Sequence, residues 1–440
     1  MIKSYLAKHS ITYLAMNIFI ITLILLPKNF NTLFGIIPIR SCLAGILFLI
    51  FLYEKKKGRI IINQNKIFLL TLFYSIFLLF TIPSFFKSKN LLISIYTFFK
   101  YTTYYLAFIT FYKTKLTKNE YLTILKNICI CSFIVGILAI FQYIFNWQLN
   151  YNGLDKYDIK GRAPATFYNP IYYSIFVNIV FIPILYLIYT KNVNKILGFF
   201  ILFINTCGLV LTFTRSSILI FFVILIATII FFRKLIFNKF SIFTLTICLL
   251  TMFIIPGAKD VTLNAFQNAF SLFTSNTEEI ENDLDNNEEI DYSIYHRKEF
   301  LKITYRIIEN NPYIGVGFGA YIDYMNSSDF DLNYPDYSFS KTHPHAGFTL
   351  LTVETGIFAV SFFIFFIITL AFYYLKDFIY YIKIKSDNKY PVLIALLISA
   401  GFLIVNIVSE NLIYDTQIFL FFLSVIAILY NLADKKDYQN

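Results

Sequence analysis

The chain has 440 residues, of which 58% are hydrophobic and only 14% charged, with a mean hydropathy of +0.66. Soluble domains run at about 45–50% apolar and about 25% charged, so a water-soluble globular class is excluded. The formal net charge of +11 is not read as nucleic-acid affinity, because the basic residues sit in short gaps between apolar runs.

Apolar runs recur near 11–27, 34–53, 66–82, 92–112, 121–145, 170–190, 196–213, 216–232, 239–256, 347–375, 391–409 and 412–432. At roughly 20 residues, each is long enough to cross about 30 Å of hydrocarbon. The expected fold is all-α: a polytopic membrane protein of about twelve transmembrane helices in contact with the lipid bilayer. The first run lacks a small-residue cleavage pattern and is expected to stay as a helix. The five cysteines (Cys42, Cys129, Cys131, Cys207, Cys248) all lie in apolar runs and read as small buried hydrophobes, with no disulfide framework and no metal site.

Lys and Arg collect in every second gap: Lys55–Lys57 with Arg59, then Lys113 to Lys118, Lys191 and Lys195, Arg233 to Lys239, and Lys376 to Lys389. By the positive-inside rule these gaps, and both termini, are expected in the cytoplasm. The chain then divides into a bundle of about nine spans over 1–256, an outer loop domain over 257–346, and about three further spans over 347–440. The loop domain holds 15 acidic against 6 basic residues, opposite in sign to the rest of the chain. Its most acidic run, 278–291, has few apolar residues and reads as a mobile solvated loop; it lacks the spacing of a calcium loop. Tyr292–Glu309 alternates apolar and charged residues at helical spacing and is expected to form an amphipathic outer-face helix, stopped by Asn310-Asn311-Pro312. The glycines of GVGFGAY (315–321) do not have dinucleotide-binding spacing, and are expected to form a flexible turn back to the bundle.

Candidate chemistry gathers at the predicted outer ends. Arginine is scarce, seven residues against thirty lysines. Arg162 precedes the sixth span, and Arg215 sits in the tight LTFTRSS turn between the seventh and eighth. Guanidinium binds phosphate oxygens in a bidentate way that lysine does not match. The plainer reading is that each snorkels to headgroups or pairs with a carboxylate. Arg40 reads as an interface anchor, and Arg297 and Arg306 as solvated residues of the surface helix. His343 and His345 flank Pro344 where the outer loop re-enters the membrane, and imidazole titrates near enough to neutrality to take a proton from a hydroxyl. A zinc site there would need a third ligand. Glu354, two to three turns further on, orients a histidine, pairs with an arginine or caps structure near Gly356; the sequence leaves all three open.

Four motifs occur in this order: GRAPATFYNPIYYS (161–174), LTFTRSS (211–217), RKEFLKITYRIIENNPYIGVGFGAY (297–321) and THPHAGFTLLTVETGIFAV (342–360). Together they resemble the O-antigen ligase/polymerase family, the WaaL- and Wzy-type membrane glycosyltransferases. The resemblance implies a GT-C-type enzyme of the bacterial cytoplasmic (inner) membrane, with its active site on the outer face. It would move a glycan from an undecaprenyl-diphosphate carrier to a hydroxyl of a glycan, lipid or protein acceptor, inverting at the anomeric carbon, without metal or cofactor. Polysaccharide-assembly proteins would be its partners, and nucleic acid would not. By motif position Arg162 and Arg215 would hold the diphosphate and His345 would be the base, with His343 in reserve; Glu354, Arg297 and Tyr168 would support them. The family often has Asn directly after the histidine, where this chain has Ala346. The rival reading is a transporter or flippase of lipid-linked oligosaccharide. That would call for charges deep in several spans, whereas here they cluster on one side apart from Lys100 and Lys126.

Overall fold

A computed structural model describes residues 10–27, 32–33, 37–62, 67–147, 161–167, 169–231, 292–335, 343–344, 346–408 and 411–433, with a few isolated positions between 242 and 263. The acidic run 278–291 and the expected span at 239–256 lie wholly or largely outside the described residues, and so does Cys248.

Within them the chain is overwhelmingly helical. The membrane-type helices are α1 (Ile11–Leu25), α2 (Ile39–Lys56), α3 (Phe68–Thr81), α4 (Leu91–Lys113), α5 (Lys118–Ile144), α6 (Pro170–Tyr189), α7 (Lys195–Val210) and α8 (Arg215–Phe231). The loop domain contributes α9 (Tyr292–Asn310), α10 (Tyr321–Met325) and α11 (Ser328–Asn333), and α12 (Gly347–Lys383), α13 (Lys389–Val408) and α14 (Thr416–Leu432) complete the bundle. Every expected span other than 239–256 thus has its helix. Five helical segments are long and apolar enough to cross a bilayer alone; α1, α7, α8 and α14 are apolar but shorter. Helices are what lipid permits, because each backbone group is satisfied within its own segment. The only strands among the described residues are two antiparallel pairs of two residues each, Thr32–Leu33 with Ile37–Pro38 and Ile61–Ile62 with Thr114–Lys115.

Side-chain caps set the helix starts: Ser10, Asn90, Asn169, Asn194 and Asp415 accept amide hydrogens in the first turns, and Thr117 with Glu120 forms a reciprocal capping box. α6 and α14 are buried on nearly all sides and form the centre. α12 lies along α3 and α13, α14 along α4, and α5 along α7.

Hydrogen bonds sort the helix ends into two faces. At one, Glu54 of α2 accepts from the amides of Ile11 and Thr12, Asn431 donates to the carbonyls of Phe111 and Tyr112, and the Ile61–Lys115 strand pair closes. The basic gaps at 55–59 and 113–118 gather there, with lysines in the last turns of α2 and α4 where a helix favours cations. At the other, Arg40 donates to the Leu26 carbonyl, Thr166 to Ile24 and Gln417 to Leu23. Arg40 is fully buried. It ties α2 to the end of α1, so the expectation of an interface anchor is corrected.

The loop domain docks on this second face. α9 buries Phe300, Ile303 and Ile307 and leaves Tyr305, Arg306 and Glu309 exposed, the expected amphipathic pattern. The glycine run is corrected in character. It does return the chain to the bundle, but as a tightly packed turn. Gly315, Gly317 and Gly319 all have positive φ. A Cβ would lie 2.6 Å from the Thr355 amide at Gly315, 2.7 Å from Ser88 Cα at Gly317 and 2.9 Å from Thr97 Cβ at Gly319. What the close approach achieves is the insertion of Phe318, which is fully buried, with its ring 5.0 Å from Tyr101 and 6.2 Å from Phe77.

Candidate active site

The first half of the site is a corner built on backbone ties. Gln142, near the end of α5, grips Ala165 twice, donating to its carbonyl (3.1 Å) and accepting from its amide (2.7 Å). The Ala163 amide donates to Leu211 O (3.0 Å). These contacts carry Arg162 to the α7–α8 turn, where its Nε donates to Thr212 O (2.7 Å) and its Nη2 to Thr214 Oγ1 (3.0 Å). Arg162 is half-buried. Arg215, the next residue after Thr214, is exposed and opens α8. A cation at a helix N-terminus opposes the helix dipole, so Arg215 is not there for the stability of α8. The same terminus attracts anions, and a guanidinium beside it adds to that field. Ser217 and Asn178 lock α8 to α6 through Ser174 Oγ–Ser217 Oγ (2.5 Å) and Asn178 Nδ2–Ser217 O (3.0 Å).

The second half is the re-entry segment. His343 is exposed, with its ring centroid 6.0 Å from that of Tyr321, whose hydroxyl shares a hydrogen bond with Thr304 (3.1 Å). Pro344 is buried, and its carbonyl accepts from Asn411 Nδ2 at 2.6 Å. The Asn411 Oδ1 is buried without a hydrogen-bond partner among the described residues. Gly347 abuts Asn406, whose Oδ1 would meet a Cβ there at 2.7 Å. The end of α13 and the α13–α14 connection therefore flank the two sides of the segment. His345 and Tyr168 lie outside the described residues. Arg297 falls within α9, but its side chain is likewise outside them.

Glu354 holds these parts in place. α12 breaks at Gly356 (φ 80°, ψ 169°), where a Cβ would strike the Tyr313 carbonyl. The break frees carbonyls, and the glycine turn takes them: Val316 N donates to Val353 O (2.9 Å) and Gly317 N to Glu354 O (3.0 Å), while Ile357 N reaches Pro312 O (2.8 Å). The Glu354 side chain is 0% exposed. It accepts from Gly319 N (2.8 Å), Tyr321 N (3.4 Å) and the Tyr414 hydroxyl. Lys100 donates to the Tyr414 carbonyl. Of the three roles open for Glu354, the geometry is that of a structural cap on the glycine turn; its hydrogen-bond partners among the described residues include no histidine or arginine.

The structure brings Arg162 to Arg215, and His343 to Tyr321 and so to Glu354. Sequence reasoning missed Gln142, Thr212, Thr214, Asn411 and Tyr414. Asn406 and Asn411 carried a faint signal, as amides bordering an otherwise apolar stretch.

Fold and site define a multi-pass helical membrane protein with a polar, arginine-bearing face at one end of the bundle. Residues 198–364 match the family model described as O-antigen ligase, so this segment resembles the O-antigen ligase/polymerase family. No curated protein matches the chain. The matched segment includes Arg215, the glycine turn and His343, while Arg162, Asn411 and Tyr414 pack onto it from outside.

Proposed function

We propose that the chain transfers a glycan from an undecaprenyl-diphosphate carrier to an acceptor hydroxyl, at the outer face of the bacterial cytoplasmic membrane. The observation that carries this reading is the Arg162–Thr212–Thr214 tie, which sets one guanidinium beside the α8 N-terminus that bears the other. In the reaction the acceptor oxygen attacks the anomeric carbon and the bond to the diphosphate oxygen breaks on the opposite side, so the centre inverts. Negative charge develops on the leaving diphosphate, and preorganised cations and helix-end amides act on charge of that kind. The acceptor proton passes to an imidazole, His345 by motif position with His343 as the second candidate. A diphosphate is already a good leaving group, so the reading needs no metal. The lipid carrier would reach this face from within the bilayer.

The test is transfer by purified protein supplied with carrier-linked repeat unit in the presence of chelator. A ladder without added acceptor identifies a polymerase, and transfer only after a terminal lipid or protein acceptor is added identifies a ligase. Carrier translocation in vesicles with no transfer under either condition would replace the enzyme with the flippase reading.

A further inference from the structure

The connection between α3 and α4 is a second wall of the loop domain. Ile82–Lys87 forms a 3-10 helix, and with Ser88–Asn90 it faces the end of α9 and the α10–α11 hairpin. Between them lies a cleft of about 580 Å³, within the roughly 300–1,000 Å³ typical of small-molecule sites.

The cleft is held open by ties on both sides. Phe318 N donates to Ser84 Oγ (3.2 Å), Lys89 pairs with Asp329, and Asn90 Nδ2 reaches Asp323 (3.5 Å). Asn310 Nδ2 donates to the Tyr334 hydroxyl (2.8 Å), fixing the wall from behind. Its lining chemistry is distinctive. Asn310, Asn311 and Asn333 line it with amides whose Nδ2 atoms donate one bond each, to the Tyr334 hydroxyl, Ile307 O and Asp329 O, and so keep a second N–H for a ligand. Tyr324 adds a hydroxyl on an aromatic body, and Lys87 adds an exposed ammonium whose hydrogen-bond partner is Asn311 Oδ1 at 3.3 Å. Phe86 at the rim is 90% exposed.

Each candidate ligand class meets this lining differently. An apolar chain would leave unused the second N–H of each amide, each of which already makes one bond within the protein, and a polyanion would find one lysine beside an already paired Lys89–Asp329. A saccharide presents hydroxyls that donate and accept, together with C–H faces that lie flat on an aromatic ring. We propose that this cleft is a saccharide-binding site, holding a segment of the glycan away from the reacting bond, with Asn333, Asn311 and Lys87 reading hydroxyl or acidic substituents and Phe86 stacking on a ring. This rests on the glycan-transfer reading above, yet none of Arg162, Arg215 and His343 lines the cleft.

The test uses the full-length protein in detergent and oligosaccharides released by mild hydrolysis from the source cell's own surface polysaccharide, with binding followed by saturation-transfer NMR. Wild type should bind saturably, and Lys87→Ala and Asn333→Ala should each weaken binding about fivefold, as loss of one hydrogen bond predicts. Phe86→Leu should also weaken it, because an apolar surface remains but the ring is gone. Arg162→Ala should leave binding unchanged. In transfer assays the cleft variants should raise KM for the glycan with little change in kcat. Absent wild-type binding, or equal binding by wild type and all three cleft variants, overturns the site. Cleft-dependent binding in a protein that transfers nothing would leave the site standing and remove the transferase reading. Transfer with an unaltered glycan KM in the variants would do the reverse.

Discussion

Two charged centres on the same face of the bundle are built in opposite ways. At the arginine corner, Arg162 is half-buried and Arg215 exposed, and the Arg162 segment is tied to the turn before Arg215 by one backbone and two side-chain hydrogen bonds. At the latch, Glu354 is sealed from solvent and ringed by two amides and a phenol. A charge that is meant to meet a ligand needs an open side and a rigid support. A carboxyl group that organises structure needs its lone pairs filled, because an unsatisfied polar group in an apolar interior is costly. On the proposed reading the first centre does chemistry and the second is architecture, and variants of the two should separate accordingly.

The largest effect is expected at the corner. Arg215→Lys and Arg162→Ala should each reduce glycan transfer by about 100-fold or more, the scale of losing one donor to developing negative charge, with membrane expression and thermal unfolding close to wild type. Near-normal transfer by both would dissolve the functional half of the comparison. His345→Ala should abolish transfer with the same unchanged expression, and a smaller loss there than in His343→Ala would exchange the two histidines' roles.

At the latch the expected loss is of folding. Gly315→Ala forces a positive φ on an L-residue and drives its Cβ into the α12 backbone at 354–355, so it should destabilise by about 3 kcal/mol or more, read as a lower unfolding temperature and poor yield. Glu354→Gln places an amide donor where three donors converge, and should cost about 1–3 kcal/mol. The folded fraction should still transfer glycan. Inactivity of fully folded Glu354→Gln protein would move Glu354 from architecture to chemistry and erase the distinction.

How much of this was legible in the sequence follows from the range of each interaction. Spans and the α9 stripe of Phe300, Ile303 and Ile307 depend on composition and local period, and they were readable. The scarcity of arginine singled out Arg162 and Arg215 but not the turn that joins them, because Arg162 bonds to carbonyl and hydroxyl groups on another helix connection. The glycine run was located but misjudged as flexible. Only its neighbours Ser88, Thr97 and Thr355, remote in sequence, reveal that the glycines are there to admit Phe318 and to pair with carbonyls freed at Gly356. Glu354 left three readings open because its partners arrive from the turn and from Tyr414.

Asn411 holds the histidine segment and offers the finest test. Its Nδ2 holds the carbonyl of Pro344, next to His343, while its Oδ1 is buried without a partner among the described residues. Asn411→Ala therefore removes one hydrogen bond worth about 1 kcal/mol and, with it, an unsatisfied acceptor whose burial is unfavourable by about as much. Net stability should shift little in thermal unfolding. Yet the re-entry segment loses its anchor, so kcat for transfer should fall by about tenfold, the scale seen when a reacting group is slightly misplaced, with KM for the glycan nearly unchanged. A stability loss with normal kcat would make Asn411 part of the latch. A kcat loss at constant stability would make it a positioning residue and extend the chemical centre from the arginine corner to the histidine segment.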